Sequence, residues 1–520
     1  MNKQFKNLSL WLGVALLATA LVLAGCGGKD AKKDTFIFAL QNDAVNLDPQ
    51  MGIDSQSLNV TSRKVFETLV TTDKNNKIIP ELATEWKQIN PTTWEFTLRK
   101  GVKFHDGTDF NAQAVKTTLD RVLDPKANRA RRSVYSAIKE VKVIADDKIQ
   151  LITDGPYAPL LINLAHPGGS MISPKAIEED ARFVGGDSSA KALAANPVGT
   201  GPFKFVSWTK GQEVKLDRFD GYWGKKPTVA HVIFKTVPED ATRMAMVKTG
   251  EAQAAEQVPL TDVERIGKDS NLQLIRNTGY RVEFLAFNVT QPPFDNPKVR
   301  QAVSEALDFP AILQGVYSGV GKSDVSPLGP DVFGYNPNLK PYPHNLEHAK
   351  QLLAEAGYPN GLKATLITAD RKIRIKLAEV IQAQLKPIGI DLEIQPMEFG
   401  AYIKATVEAK HQLSITGWSN QTGDGDYALT PSFTAAGFAS GSNTTRYDNP
   451  DVNALLKQAR QELNVEKRKA IYGKIQEIIY EDRPVLVTQF TEFLTIAQKN
   501  VKGLWVTPGG IIVLSDLVIE

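Results

Sequence analysis

The stretch "LKATLITADRKIRIKLAEVIQAQLKPIGIDLEIQP", Leu362 to Pro396, decides the fold class. Its opening "LKATLIT" is apolar and β-favouring. "RKIRIKLAEVIQAQLKPIG" then sets Leu377, Ile381 and Leu385 on one face at helical spacing. "IDLEIQP" reads as a second strand. Strand, helix, strand in this order is a βαβ unit, which implies a parallel sheet with a right-handed crossover.

The neighbours keep the rhythm. "NLEHAKQLLAEAGYPNG" is a helix with Asn345 as N-cap and Gly357 as its stop. "QLSITGWS" is a strand, and "PDVNALLKQARQEL" and "VEKRKAIYGKIQEIIYED" are amphipathic helices. "PVLVTQF" and "FLTIAQ" return as strands, and the apolar tail "IIVLSDLVIE" is expected to pair with an earlier sheet. In the first half, "TFIFAL" is a strand. "TWEFTLRKGVKFHDGTDF" reads as a hairpin turning at Asp106-Gly107. "NPVGTGPFKFVSW" is a loop entering a strand, and "RVEFLAFNV" is a strand long enough to cross between lobes. If the return strand near Phe493 lies beside the outgoing one near Phe284, the two form a hinge. The expected division is 35–285 plus 497–520 for one lobe and 286–496 for the other.

The amino terminus carries a separate message. Lys3 and Lys6 precede an apolar run, Leu8 to Leu23, which has the length of a signal-peptide core rather than a membrane span. Cys26 is the only cysteine of 520 residues, and Leu23-Ala24-Gly25-Cys26 resembles a bacterial lipobox. The expectation is a signal peptide over 1–25 and a lipid attached to Cys26. A flexible tether then covers 26–34, and the body sits on the outer face of a bacterial membrane. Two acyl chains give stable anchoring where one does not, and a body free of cysteine suits an oxidising compartment.

Composition narrows the partners. Lys plus Arg stand at 61 against 58 Asp plus Glu. Without Lys3 and Lys6 the balance is 59 to 58, too neutral for a nucleic-acid binder. Metal and nucleophile signatures are absent: no His-Glu-x-x-His, no Gly-x-Ser-x-Gly, no cysteine-based metal spacing. His344 and His348 are four apart, but Pro343 and Asn345 put His344 ahead of the helix. No cofactor and no metal are expected.

Candidate ligand contacts cluster at strand ends. "GWSNQTGDGDYAL", Gly417 to Leu429, leaves the carboxyl end of a strand, where ligands bind in open α/β sheets. Trp418 offers a flat wall or a core contact. Asn420, Gln421 and Thr422 offer neutral donors and acceptors. Asp424 and Asp426 could receive an amine, although a turn bonding its own backbone is the favoured reading. Arg371 or Arg374, at the mouth of the βαβ unit, could grip a carboxylate or simply begin a solvated helix. Tyr280 and Arg281 on the crossing strand, and Asn42 in "QNDAVNLDPQ", complete the set. Arg281 could equally form an interlobe salt bridge. Arg129, Arg131 and Arg132 in "ANRARRSVY" read as a solvated loop.

Six pieces in order carry a family likeness: "LRKGVKFHDGTDFNAQAV", "NPVGTGPFKF", "DGYWGKKP", "NVTQPPFDNPKVRQAV", "AKQLLAEAGYPNG" and "DRPVLVTQF". Together they resemble the peptide/nickel class (family 5) of solute-binding proteins of bacterial ABC importers. That resemblance implies a two-lobed periplasmic-binding-protein fold of class II-like type, with an extra subdomain and a ligand cleft between lobes. "LLINLAHPGGSMISPKAI" and "GWSNQTGDGDYAL" are most similar to glutathione-binding members. Dipeptide binders of the class usually hold an aspartate three residues after the tryptophan. Here Gln421 stands there, which fits an amine of different geometry. The implied function is capture of glutathione or a short peptide for an ABC permease, by a monomer that performs no catalysis. Alternatives are a haem or nickel-chelate cargo on the same fold, or a secreted hydrolase.

Overall fold

The computed structural model describes residues 34–520. The expected lipid-attachment residue Cys26, the signal peptide and most of the tether lie outside the described residues.

The βαβ unit forms as read. Strands Leu362–Ala369 and Ile390–Met397 pair in parallel, and helix Lys372–Leu385 crosses between them. Leu377, Ile381 and Leu385 are all fully buried. The unit closes tightly at Gly361, where a Cβ would meet the Gly389 carbonyl oxygen at 2.1 Å and φ is +84°. Strand Leu413–Ser419 lies parallel on the other side.

A ten-stranded mixed sheet runs through both lobes. Its centre is two long antiparallel strands, Leu272–Phe287 and Val485–Gln498. The second joins "PVLVTQF" and "FLTIAQ" into one strand, because Thr491 and Glu492 stay extended. Phe284 lies opposite Val487, and Asn277 opposite Phe493. Pairing breaks between Thr278 and Val282. Gly279 sits in the break, and a Cβ there would meet the Phe493 ring at 2.6 Å and Thr491 O at 2.8 Å. Only glycine allows that approach, a common cause of bulges.

Each lobe has its own core. One gathers Phe36, Phe38, Phe203, Val232 and the tail residues Ile512 and Leu514. The other gathers Phe287, Leu366, Leu377, Ile381 and Ile415. A separate four-stranded sheet, in the order Ala83–Asn90, Thr93–Leu98, Lys148–Thr153, Ile138–Ala145, builds the extra subdomain around Phe96, Phe104 and Leu151.

Two local expectations are corrected. Thr93–Leu98 pairs with its neighbours in that sheet, and the Asp106-Gly107 turn closes only a single bridge, Lys103 to Asp109. The tail pairs with itself rather than with an earlier sheet, Val501–Lys502 against Val518–Ile519 and Trp505–Val506 against Ile512–Val513. Turns at Gly503 and Gly510 fold it back while its apolar side chains fill the first lobe's core.

Candidate functional site

The carboxyl end of Leu413–Ser419 launches the loop Asn420 to Asp424 into the seam between the lobes. Asn420 organises that loop. Its side-chain oxygen accepts the N–H groups of Thr422 at 3.1 Å and Gly423 at 2.9 Å, and its amide donates to Asp424 O at 2.9 Å. It is buried and directed at its own loop, so the expectation of a ligand contact is corrected for its side chain.

Asp424 is corrected likewise. It caps helix Gly425–Phe433 by accepting from Asp426 N at 2.9 Å. Its oxygens receive Arg468 Nη1 at 2.8 Å and Nη2 at 2.7 Å, all inside the second lobe. This buried pair holds the Arg468 guanidinium above its ordinary value: burial opposes the charge, and the Asp424 carboxylate more than offsets it. Asp426 receives Arg460 Nε at 2.7 Å. Asp424 bonds backbone as a turn aspartate does, whereas Asp426 is held by side chains alone, Arg460 and Thr430 Oγ1 at 2.7 Å; the local sequence did not reveal either arginine partner.

Gln421 and Thr422 do reach the seam. They line a cavity of about 40 Å³ whose other walls come from the first lobe: Ser62 to Thr72, Glu81, the Ala165 to Ser170 turn, and Thr507 to Ile511. Asn76 Nδ2 donates to Thr422 O across the seam at 3.0 Å. The lobes also meet where Ala158 N donates to Arg460 O at 2.8 Å. His166 Nε2 and Tyr427 Oη meet at 3.2 Å. His166 Nδ1 accepts from Gly168 N at 2.9 Å, so the neutral ring carries its proton on Nε2 and donates it to Tyr427. Burial, then the Arg131 charge, pushes the His166 pKa well down. A space of this size holds a few waters, so these lobes are shut and a peptide needs them to part.

Trp418 is half-buried. Its ring packs on Tyr427 at 5.9 Å and borders a second crevice walled by Phe284, Phe433 and Val485. Its Nε1 is buried without a hydrogen-bond partner. Tyr280 is buried in the second lobe's core, and its N–H donates to Pro508 O at 2.9 Å. Burial pushes its hydroxyl up to about 12.

The three candidate arginines separate. Arg374 is buried against Glu283, with Nε at 3.1 Å and Nη2 at 2.9 Å from the carboxylate. Arg281 also pairs with Glu283, and its Nη1 donates to Ser419 Oγ at 2.9 Å. Glu283 is held below its usual value because these two guanidinium groups outweigh its burial. Arg374 is therefore corrected from ligand grip to structural partner. Arg371 makes no ion pair among the described residues; its guanidinium lies 5.7 Å from the Phe399 ring centre. Protein bulk first, then the charges of Arg374 and Arg281, draw it below its ordinary value. Three guanidinium groups face one carboxylate here, at a strand end beside a helix start.

Asn42 is exposed and borders neither crevice. Arg131, expected in solvent, is buried, with Nη2 on Gly52 O at 3.1 Å. Local sequence also missed Glu67 and Glu81 in the cavity wall. The one hint was a glutamate inside the otherwise apolar "KVFETLV". Among the described residues, no three His, Cys, Asp or Glu side chains form a possible metal site. His348 is instead bonded to Glu305 at 2.6 Å.

Comparison with known proteins gives a consistent picture. The profile of the bacterial extracellular solute-binding proteins, family 5 middle region, matches residues 77–440. The chain is 32% identical over 516 residues to the glutathione-binding protein GsiB of Pectobacterium atrosepticum, covering 97% of each. It is 33% identical over 502 residues to GsiB of Escherichia coli K12, covering 95% of each. Among solved structures, the ABC transporter-associated periplasmic binding protein DppA from Helicobacter pylori, in complex with the peptide STSA, superposes with a TM-score of 0.82. That match is at 31% identity and covers 95% of this chain and 99% of the other. A dipeptide-binding protein from Pseudoalteromonas sp. SM9913, in complex with Met-Leu, gives 0.83 at 25% identity, over 94% and 100%.

Proposed function

The chain belongs to the bacterial extracellular solute-binding proteins of family 5, and from that premise we propose that it captures glutathione or a short peptide for an ABC importer. The observation that carries this reading is the similarity, along almost the whole chain, to glutathione-binding relatives. The site agrees with it. Loop 420–424 brings Gln421 and Thr422 to a cavity shared by both lobes. Arg371, which makes no ion pair among the described residues, offers positive charge for a carboxylate, and bidentate guanidinium–carboxylate bonds are among the stronger hydrogen bonds. Trp418 presents a flat face against Tyr427 and borders the neighbouring crevice.

The mechanism is closure. We place the division between lobes at the break in strand pairing, residues 279–281 and 491, a few residues short of 285 and 496. The broken ladder bends there most easily. Ligand drawn between the lobes loses water, its charges meet Arg371 and the cavity wall, and the Asn76–Thr422 and His166–Tyr427 contacts re-form over it. A ligand drives closure only through its tighter binding to the shut form. The protein then presents a closed surface to a permease, tethered to the membrane through lipid on Cys26, and performs no catalysis itself.

Titration calorimetry with glutathione and with di- to pentapeptides tests the reading, together with mass spectrometry of co-purified cargo. Saturable heat with at least one of these ligands is expected; silence with all of them refutes it.

A further inference from the structure

The cavity between the lobes is walled by acceptors that lack donors. Gln421 Oε1 and Ser62 Oγ line it, buried and without partners. Two carboxyl groups stand in the same wall. A carboxylate offers about four lone-pair positions. Glu67 uses three of them, on Tyr222 Oη at 2.7 Å, Trp223 Nε1 at 2.8 Å and Thr200 Oγ1 at 2.8 Å. One position remains. Glu81 receives Thr68 N at 2.6 Å and Thr68 Oγ1 at 2.8 Å, both on Oε2. Its Oε1 takes no hydrogen bond among the described residues, and Glu81 is half-buried.

The cations nearby act on Glu81 through their charge but spend their hydrogen bonds elsewhere. Arg63 lines the cavity, but its guanidinium donates to Thr72 O at 3.0 Å and Thr72 Oγ1 at 2.8 Å. Arg99 donates to the Glu81 backbone carbonyl at 3.0 Å and lies 4.0 Å over the Trp223 ring. Two carboxyls, a neutral amide oxygen and a hydroxyl therefore border one space with free acceptor positions, which suits a donor with several N–H groups.

We propose that this cavity is the subsite for a protonated primary amine of the ligand, held by Glu81 and Glu67 from one lobe and by Gln421 Oε1 from the other. The proposal deepens, and rests on, the reading of the protein as a peptide receptor. Because the two sides belong to different lobes, the amine is fully bonded only in the shut form. It therefore supplies the differential affinity that closure needs.

A pH signature accompanies the geometry. Burial first, then the Glu81 charge, pushes Glu67 up to about 8, against the three donors that favour its anion. Burial raises Glu81 as well, opposed by Arg63, Thr68 and Arg99. Both shifts favour a proton on the free pair, and an arriving ammonium expels it. Affinity rises with pH, by up to about tenfold per unit, until Glu67 is ionised. Above that it falls as the ligand's own α-amine, ordinarily titrating at about 7.7–8.0, loses its charge.

The test is calorimetry on the mature chain at pH about 6, 7 and 8, with glutathione and trialanine, each against its N-acetyl form. Expected are proton release on binding and a loss of about 10- to 150-fold on acetylation, the worth of charge-assisted hydrogen bonds. Equal affinity of free and acetylated forms overturns the amine subsite and leaves the receptor reading intact. Binding by none of the four peptides overturns both. Glu67→Gln disturbs a buried network and could fail to fold, so Glu81→Gln and Gln421→Met accompany it. Each should weaken the free peptides, leave the acetylated ones unchanged, and in Glu81→Gln flatten the pH profile. Unchanged affinity for the free peptides in both variants also overturns the proposal.

Discussion

Replacing Asp424 by alanine separates a structural carboxylate from a ligand-binding one. In the structure, Asp424 accepts two hydrogen bonds from Arg468, at 2.7 and 2.8 Å, one from Tyr472 Oη at 3.3 Å, and the Asp426 N–H at 2.9 Å. Arg468 stays buried in the variant, its Nε on Ala459 O at 3.1 Å and its forked end left with Tyr472 Oη at 2.8 Å and only the more distant charge of Asp426. Removing one partner of a buried pair costs about 3–5 kcal/mol, and losing an N-cap adds about 1. The sum, about 4–6 kcal/mol, corresponds to a drop in melting temperature on the order of 15 °C for a lobe of this size. Asp424→Asn keeps a capping oxygen and should be milder by about 1 kcal/mol. Thermal melts followed by circular dichroism measure the loss, and calorimetry on the folded fraction should find ligand affinity nearly unchanged. A variant that melts like the parent but no longer binds peptide refutes the assignment and returns Asp424 to the ligand.

Arg371→Ala should weaken a carboxylate-bearing ligand by about 10- to 150-fold while shifting stability by less than about 0.5 kcal/mol, read by calorimetry and a urea melt. Trp418→Ala should raise the dissociation constant with the fold intact; an unchanged constant removes Trp418 from the site. Gly361→Ala should destabilise by about 2 kcal/mol or more, because its positive φ and the Gly389 oxygen at 2.1 Å leave no room for a methyl group. His105 is pushed down to about 4 by burial, with its Nε2 against Gly201 O at 2.9 Å. The unfolded chain therefore binds a proton that the native state refuses. Stability should fall as pH drops from about 6.5 towards 4, by at most about 3 kcal/mol from this group. A His105→Gln variant should lose that part of the acid slope in denaturant melts.

Periodicity made much of the second lobe readable. Leu377, Ile381 and Leu385 share one helical face, and each is buried where the crossover helix meets its sheet. Asn345 and Gly357 bounded a helix by local chemistry, and the structure shows the Asn345 side chain accepting from His348 N at 3.1 Å. The tail's partner is not legible locally, because "IIVLSDLVIE" shows apolar content but not the strand it pairs with. The ligand candidates were legible as a neighbourhood only. Arg371 and Arg374 are three residues apart and alike in composition, yet Glu283, on a strand 91 positions away in the chain, takes one and leaves the other.

From the chain alone followed the α/β class and the family likeness, while the pairing of the outgoing strand with a single long return strand was only one arrangement its order allowed. The class and the likeness depend on short-range periodicity and on ordered motifs, which linear sequence records directly. Only the folded molecule decided which polar groups are already satisfied: Asp424 by Arg468, Arg374 by Glu283, Asn420 by its own loop. It also decided which are left facing the seam, among them Gln421, Ser62 and Glu81. Hydrogen-bond saturation and desolvation depend on what lies within about 3 Å in space, and residues 44 and 91 positions apart supply those neighbours for Asp424 and Arg374.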